Sequence, residues 1–461
     1  MAQINNLLKI EFKEFLAPTE EIFDDKREHL ENIKDRLNEC FSKKDDISDL
    51  KTFAKYLGIH EDDKEKKYKA HWFVGMKWLT PGECYVQVLP RINNLDYFQM
   101  YLDCLDCDVT SRHLENTFEF YPEEVFIPLK DKKVDIISPF IVATFLKTVY
   151  DLVKRRIKYG FVRETKNLTG KIKGRILVND TIRRNLARFK PHRTVCDYQI
   201  FSIDCFENQI LKLALDQASR YLASVGMKNP SILYHWLRYS MTVFEKVSLV
   251  TINDRDFQKI HYSSFYKEYK NAHNLARLVL KRFGFDVHQS IEKSLKAVPP
   301  FWIDMNELFE RYCEALLRKY YPRLIAGYGL VGGKNFSSCV GGLRPDFLLE
   351  EKKWILDAKY KEVYKKDNWN WNEKDKETAI EDIKQLYIYA SHEGIRSELG
   401  LNKSKETVKL IILYPDENKK EGDLKEEIKE IRSLSILCKD FMELYKVSFP
   451  IPLIKNTGLY T

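Results

Sequence analysis

The sequence lacks any apolar stretch long enough to cross a bilayer. No window of its 461 residues approaches the roughly 18 uninterrupted apolar residues of a membrane span. The start, MAQINNLLKIEFKEF, reaches a charge at Lys9 without the apolar core of a signal peptide. We therefore expect a soluble cytoplasmic protein. Hydrophobic residues make up 44% and charged residues 31% of the chain, a balance typical of folded domains.

Cysteine pairs at metal-site spacing are also scarce. Among the nine cysteines, Cys104 and Cys107 form one CxxC pair, and no second pair follows at the spacing of a structural zinc site. We interpret this pair as two small residues near a helix face. An odd number of scattered cysteines favours reduced thiols in the cytosol over a disulfide framework.

A phosphate-binding loop is missing as well. Gly327, Gly329 and Gly332 spell GxGxxG, but the following KNFSSCVGG does not predict the helix that a dinucleotide site requires. Gly333 and Lys334 lack both the earlier glycine and the following Ser or Thr of a Walker A loop. We interpret these glycines as part of a hairpin and expect that the chain itself hydrolyses no nucleotide.

Positive charge is concentrated in residues 154–193, which we call the basic belt. The formal net charge of the chain is +8, yet the belt carries fourteen Lys and Arg against two acids, so the remainder is slightly acidic. Such a stretch in an otherwise balanced protein favours a polyanion, most often nucleic acid, and a solvated face is the alternative. The candidate DNA contacts in the belt are Arg175, Arg183, Arg184 and Arg188.

Changes of pattern divide the chain into three regions, within the two to four domains that about 150 residues per domain would give. Residues 1–115 mix a charged helical stretch with strand-like pieces such as HWFVGMKWLT and CYVQVLPRI. Residues 116–295 repeat apolar residues at three- and four-residue steps, which predicts a mainly helical region that includes the basic belt. The proline pair in AVPPFWID opens the third region, 296–461. The predicted fold class is α+β, multidomain.

The third region contains elements in a definite order. DMNELFERYCEALLRKYY predicts a helix, LIAGYGLV, LRPDFLLE and KWILDAKY predict strands, KETAIEDIKQLYIYASH predicts a second helix, and TVKLIILYP predicts a buried strand. The order is therefore α-β-β-β-α-β.

Two carboxylates and an ammonium interrupt the apolar strands of this region. Asp357 and Lys359 are two residues apart and so share a strand face, and the short EEKK turn places Asp346 on the neighbouring strand. Adjacent carboxylates repel unless a cation lies between them, and hard oxygen ligands suit Mg²⁺. Glu310 on the preceding helix is a further candidate ligand. This is the chemistry of phosphodiester hydrolysis, although a buried salt-bridge network without a catalytic role remains the alternative.

The region resembles the PD-(D/E)XK nuclease superfamily, whose core has the same order of elements. Its signature corresponds to RPD with Asp346 and to DAK with Asp357 and Lys359. QLYIY matches the QxxxY extension of RecB-like members, so that Gln385 and Tyr389, one helical turn apart, would support the site or the DNA strand. The resemblance implies catalytic roles for Asp346, Asp357, Lys359 and Gln385, and with Glu310 from the preceding helix the predicted Mg²⁺ ligands are Asp346, Asp357 and Glu310.

The middle of the chain is similar to McrC, the nuclease subunit of the modified-cytosine restriction system McrBC. The similarity rests on LTGKIKGRILVNDTIRRN, CDYQIFSIDCFENQILKLAL and YKEYKNAHNLARLVL, with support from YVQVLPRI and MNELFERYCEALLR. It implies an Mg²⁺-dependent DNA endonuclease of an antiviral defence complex, which docks through its N-terminal part into a hexameric McrB-like AAA+ GTPase ring and stimulates nucleotide hydrolysis. The DNA substrate would contain modified cytosine.

Two other functions stay open at this point. The chain could be a non-catalytic activator of an AAA+ ring that retains a nuclease fold as a scaffold, or a stand-alone DNA repair nuclease. The intact Asp346, Asp357 and Lys359 favour a catalytic role over a scaffold. The basic belt could contact either DNA or the ring.

Overall fold

A computed structural model describes residues 7–14, 16, 24–42, 54–62, 67–114, 117–121, 124–128, 137–224, 231–262, 264–285, 297–327, 344–365, 373–401, 406–420 and 442–454. The strands are β1 Leu8–Lys13, β2 His60–Asp62, β3 Lys67–Lys69, β4 Phe73–Thr80, β5 Cys84–Leu89, β6 Phe118–Phe120, β7 Ile127–Pro128, β8 Gly160–Thr169, β9 Arg175–Ile176, β10 Arg193–Ser202, β11 Ala297–Val298, β12 Phe301–Asp304, β13 Ile325–Ala326, β14 Phe347–Leu349, β15 Trp354–Ala358, β16 Val408–Asp416 and β17 Met442–Pro450.

The helices of the described residues follow the same order along the chain. The α-helices are α1 Asp24–Glu31, α2 Lys34–Ser42, α3 Tyr97–Asp106, α4 Ile137–Arg155, α5 Val178–Arg184, α6 Phe206–Ser224, α7 Ser231–Val243, α8 Lys267–Phe283, α9 Met305–Tyr320, α10 Glu373–Ser391 and α11 Glu393–Glu398. Short 3-10 helices cover Thr110–His113, Leu186–Arg188, Asp254–Lys259, Ser264–Tyr266, Glu350–Lys352 and Glu362–Lys365. None of these helices combines the length and the apolar character that a membrane crossing needs.

The chain forms two compact units, and the first combines both ends of the sequence. It contains Met1–Ile127 and Pro299–Thr457, whereas Pro128–Val298 belongs to the second unit. The boundaries fall near the ends of the predicted middle region, and the first and third predicted regions share one unit. The division into the regions 1–115, 116–295 and 296–461, each with its own role, stays a prediction.

A five-stranded sheet in the order β1-β5-β4-β12-β6 connects the two ends of the sequence. The strands predicted for HWFVGMKWLT and CYVQVLPRI are confirmed as β4 and β5, which pair antiparallel. Strand β12 pairs with β4 so closely that a Cβ on Gly75 would lie 2.3 Å from the carbonyl oxygen of Phe301. Trp302 of β12 lies in the same core as Phe73, with ring centroids 5.5 Å apart. Since β12 leads directly into α9, this sheet fixes the start of that helix.

The second sheet of this unit has the order β13-β14-β15-β16-β17. Its elements follow one another as α9, β13, β14, β15, α10 and β16, with the short α11 after α10. The turn expected at EEKK is a 3-10 helix that ends at Lys353 in the left-handed conformation, φ 57°, and it pairs β14 antiparallel with β15. The sequence analysis missed β17, which runs parallel to β16. The hairpin predicted at Gly329, Gly332 and Gly333 falls in residues 328–343, which lie outside the described residues.

The second unit combines packed helices with a small sheet. Helices α4 and α6 confirm the periodicity seen in the sequence, and both pack against α8. The basic belt was expected in a mainly helical region, but ten residues of it form β8, which pairs antiparallel with all ten residues of β10. Strand β9 completes the order β8-β10-β9. The sequence did not predict this strand because the side chains of β8 are largely exposed on both faces. The segment therefore lacks the alternation of apolar and polar residues that indicates a strand.

Candidate functional site

Asp346 and Asp357 lie side by side where two paired strands meet. Phe347 and Leu356 are partners in the β14–β15 register, which places the two aspartates next to each other, as the hairpin predicted. Asp346 Oδ2 accepts a hydrogen bond from the backbone nitrogen of Ala358 at 2.7 Å. Burial raises the pKa of Asp346 well above its ordinary value, and the neighbouring Glu310 and Asp357 raise it further. The pair therefore resists carrying two negative charges in a site that is shielded from water.

Asp357 is the most deeply buried member of the cluster. Its side chain lies in β15 and is 1% exposed. Neither carboxylate oxygen accepts a hydrogen bond of normal geometry from the described residues, although Lys359 Nζ lies 2.8 Å from Oδ2 as an ion pair. Buried carboxylate oxygens normally accept hydrogen bonds or bind a cation. Oδ1 of Asp357 thus retains coordination capacity that the described residues around it do not use.

Lys359 connects the two aspartates to helix α10. Its ammonium donates to Gln385 Oε1 at 3.1 Å, and Gln385 Nε2 in turn lies 2.5 Å from the hydroxyl of Tyr389. Burial alone would lower the pKa of Lys359, but the carboxylates of Asp357, Asp346 and Asp382 outweigh it and raise this pKa. The ammonium is therefore charged at any physiological pH. The structure brings together the lysine and the QxxxY residues that the sequence singled out.

Asp382 is a site residue that the sequence analysis missed. It is 5% exposed on α10, and its carboxylate lies 3.7 Å from Lys359 Nζ. Both of its oxygens accept from Lys361 Nζ at 2.8 Å, and Oδ2 also accepts from the hydroxyl of Tyr364 at 2.5 Å. Helical spacing was the available signal, because residues 382, 385 and 389 follow one face at steps of three and four. Lys359 is thus held between a carboxylate of the strand and one of the helix.

Glu310 lies near the cluster, but Arg311 holds one of its oxygens. Arg311 Nη2 donates to Glu310 Oε1 at 2.6 Å, and the same guanidinium contacts Glu307 at 2.7 Å and Glu314 at 3.0 Å. Burial raises the pKa of Glu310 to about 8, with Arg311 opposing and Glu307 and Asp357 adding to the rise. Across the part of the chain that the structure describes, no three His, Cys, Asp or Glu side chains form a preassembled metal site. The predicted trio of Asp346, Asp357 and Glu310 is therefore not a ready three-ligand set.

The basic belt forms an exposed surface on the second unit. Arg175 lies in β9, Arg183 and Arg184 end α5, and Arg188 closes a 3-10 helix, and all four are exposed. Large apolar side chains that the sequence analysis did not single out accompany them: Phe161, Phe189 and Phe201 are exposed by 73%, 94% and 65%. Phe161 and Phe201 are cross-strand partners with ring centroids 5.4 Å apart. The belt therefore presents exposed aromatic and cationic side chains together.

Fold and site define a mixed α/β protein in which a cluster of carboxylates and a lysine lies at the ends of two paired strands. A family model described as "McrBC 5-methylcytosine restriction system component" matches residues 68–398. The chain belongs to this family, which confirms the resemblance to the McrBC system.

Two solved structures are similar to the chain at low sequence identity. One is the refined half-complex from a tetradecameric assembly of Thermococcus gammatolerans McrB AAA+ hexamers with bound McrC, at 15% identity and a TM-score of 0.41, covering 96% of this chain and 94% of that chain. The other is the cryo-EM structure of the Thermococcus gammatolerans McrBC complex, at 16% identity and a TM-score of 0.31, covering 68% of this chain and 88% of that chain. No curated protein matches the chain.

Proposed function

We propose that this chain is the Mg²⁺-dependent DNA endonuclease subunit of an McrBC-like restriction complex, with a PD-(D/E)XK nuclease layout in residues 296–461. The observation that carries this proposal is the buried Asp357 beside Asp346: its Oδ2 lies 2.8 Å from the ammonium of Lys359, and its Oδ1 accepts no hydrogen bond from the described residues. A purely structural salt bridge would satisfy both oxygens of a carboxylate this deeply buried. Membership in the McrBC family supports the same conclusion.

The donor set fits Mg²⁺. This ion binds protein through one or two carboxylates, keeps several of its waters and takes phosphate oxygens of the substrate. Asp346 and Asp357 would supply the carboxylates, and they repel each other in a poorly hydrated place unless a cation offsets their charge. Glu310 is the third candidate, and it would reach the ion or one of its waters only through the oxygen that Arg311 does not hold. When bound, the metal would make a water nucleophilic and neutralise phosphate charge.

The remaining residues of the site act on charge and position. Lys359 carries a permanent positive charge beside the two aspartates, where negative charge on a scissile phosphate would develop. Gln385 accepts from this ammonium and is itself fixed by Tyr389. Asp382 balances the charge of Lys359 from the helix side. Together these contacts hold the ammonium in place before substrate arrives, which is how such electrostatic stabilisation becomes effective.

A ring-shaped partner completes the proposal. The sequence contains no Walker A loop, so nucleotide hydrolysis would belong to an McrB-like AAA+ GTPase that this chain stimulates. We propose that residues 1–115 contribute to docking, that the basic belt in 116–295 contacts DNA or the ring, and that the DNA substrate contains modified cytosine.

A reconstitution experiment tests this function. The full chain, its McrB-like partner, GTP and Mg²⁺ should together cut a plasmid that carries methylated cytosine, and EDTA should stop the reaction. The chain alone should hydrolyse neither GTP nor ATP. Stimulated GTP hydrolysis without cleavage would favour a non-catalytic activator. Sequence-specific cleavage by the isolated chain without nucleotide would favour a stand-alone nuclease.

A further inference from the structure

A buried polar contact joins the N-terminal sheet to the residue that follows Lys359. Glu14, immediately after β1, is 0% exposed, and its Oε2 accepts from the backbone nitrogen of Arg91 at 3.0 Å and from the hydroxyl of Tyr360 at 3.4 Å. The guanidinium of Arg91 lies over the ring of Tyr360, 4.4 Å from its centroid, and also donates to the Tyr360 carbonyl oxygen. Glu14 and Arg91 therefore contact Tyr360 at its hydroxyl, its ring and its carbonyl oxygen.

Tyr360 connects these contacts to two elements of the candidate site. The backbone of Tyr360 directly follows Lys359. The backbone nitrogen of Lys359 donates to the carbonyl oxygen of Leu413 at 2.8 Å, which joins this segment to β16. The ring of Tyr360 packs against Phe309 with centroids 5.7 Å apart, and Phe309 precedes Glu310 on α9. Tyr360 thus continues the segment that contains Lys359, while its ring packs against the helix that carries Glu310.

We infer that Glu14, Arg91 and Tyr360 form a positioning linkage, by which residues of the N-terminal sheet hold the Lys359 segment in its productive place. This inference rests on the proposed nuclease function. None of the three residues belongs to the cluster of Asp346, Asp357 and Lys359, so the linkage acts through Tyr360 and not on the substrate.

The chemistry of the linkage fits a positioning role better than simple packing. Glu14 is fully buried and Arg91 partly buried, and burying ionisable groups is unfavourable compared with apolar side chains of similar size, so this contact is an inefficient way to stabilise the fold. Its directional hydrogen bonds and the planar guanidinium fix the orientation of the Tyr360 ring and carbonyl group. Small displacements of a catalytic group are costly, since a shift of about 1 Å can lower a rate on the order of 100-fold.

The test variant is Arg91→Met, which keeps the length of the side chain but removes the guanidinium. Lys77→Met in the same unit is a matched control, because Lys77 is a buried cation that lies over a tyrosine ring as Arg91 does, 3.3 Å from the centroid of the Tyr121 ring and 3.2 Å from Glu124. Arg91→Lys, which keeps the charge and loses the planar fork, is the conservative variant. Each full-length variant is measured with the McrB-like partner, GTP and Mg²⁺ for kcat and for the KM of DNA, and alone for its thermal midpoint.

We expect Arg91→Met to lower kcat about 10- to 100-fold, with an unchanged KM and a thermal midpoint similar to that of Lys77→Met. Lys77→Met should retain the kcat of the natural chain, and Arg91→Lys should recover part of the loss. A folded Arg91→Met variant with the natural kcat would overturn the inference.

Amide hydrogen exchange separates this inference from the proposed function. Arg91→Met should accelerate exchange at Lys359 and Lys361 relative to Lys77→Met, and this readout requires no cleavage. If Asp357→Asn cuts as well as the natural chain, the nuclease proposal fails, while unchanged exchange at Lys359 would refute the linkage itself.

Discussion

The ammonium of Lys359 lies 2.8 Å from Oδ2 of Asp357, a carboxylate that is 1% exposed. Asp357 lies in β15 and Lys359 one residue beyond its end, so that the two side chains, two residues apart, project to the same side. This contact neutralises only part of the local charge, because Asp346 lies on the paired strand and both Asp357 oxygens still lack a hydrogen bond of normal geometry. The relationship leads to the first prediction.

Removal of any charge from this cluster should abolish cleavage and leave the fold intact. We expect Asp346→Asn, Asp357→Asn and Lys359→Ala each to lower the Mg²⁺-dependent rate at least about 100-fold, in line with about 3 kcal/mol for one electrostatic contact in the transition state. Single-turnover cleavage in the reconstituted complex measures the loss. Glu351→Gln, at an exposed carboxylate of the same hairpin, serves as the control. Normal cleavage by Asp357→Asn would refute the assignment of the site.

Asp382 should contribute to cleavage without touching the substrate. Asp382→Asn removes the second carboxylate beside Lys359, so the ammonium loses an anchor 3.7 Å away and the rate should fall about 10-fold. Lys361→Met is the control, because it removes another partner of Asp382 and leaves the contacts of Lys359 unchanged. Equal losses in both variants would show that Asp382 supports the fold of this segment and not the position of Lys359.

Glu14 should make the folded chain less stable as the pH rises. Burial raises its pKa to about 8 from the ordinary 4.5, with Arg91 and the Tyr360 hydroxyl opposing and Asp304 adding to the rise. The folded state therefore keeps a proton that the unfolded state has lost between these values. This contribution is complete below pH 4.5 and is lost as the pH rises through about 8, at about 1.4 kcal/mol per pH unit.

Glu14→Gln isolates this effect from the other buried carboxyls. The variant should lose less stability than the natural chain between about pH 5.5 and about pH 8.5, as measured by chemical denaturation. Glu11→Gln, at a partly exposed carboxylate of β1, should follow the natural chain. Parallel curves for Glu14→Gln and the natural chain would show that Glu14 does not titrate in this range.

The basic belt should bind either DNA or the ring, and one set of variants distinguishes them. If it holds DNA, changing Arg183, Arg184 and Arg188 together to Gln should weaken binding to all sequences, and the salt slope should flatten by about 0.9 for each lost phosphate contact. Normal DNA binding with failed assembly would identify a protein interface. A variant normal in both would identify a solvated face. The control variant changes three exposed residues of the same unit that lie outside the belt, Arg238, Lys246 and Lys270.

The third region of the sequence should not fold alone. In a fragment that begins at residue 296, β12 loses both of its neighbours, β4 and β6, and Trp302 loses the core it shares with Phe73. Exposing one large aromatic side chain costs about 3–5 kcal/mol when its packing is lost, a large part of the stability of a domain. Circular dichroism and thermal denaturation should show an unfolded fragment. A cooperative transition like that of the full chain would contradict this expectation.

Local pattern was sufficient where neighbours in sequence are also neighbours in space. The hairpin that aligns Asp346 with Asp357 is short, the spacing of Asp357 and Lys359 fixes a common face, and Gln385 and Tyr389 are one helical turn apart. These relationships follow from the periods of strand and helix, so the sequence by itself determined the centre of the candidate site. The same periods predicted β4, β5, α4 and α6.

Tertiary structure decided the contacts between residues that are distant in sequence. Asp382 belongs to the cluster because α10 packs against the strand that precedes Lys359. Arg311 restrains Glu310 while it also contacts Glu307 and Glu314 of the same helix. Glu14 meets Tyr360 across 346 positions of sequence, and β12 joins the N-terminal sheet to the helix of the site. Such contacts depend on which apolar faces pack together, and burial then sets the charge state of the ionisable groups between those faces. Neither property can be predicted from the periodicity of a single helix or strand.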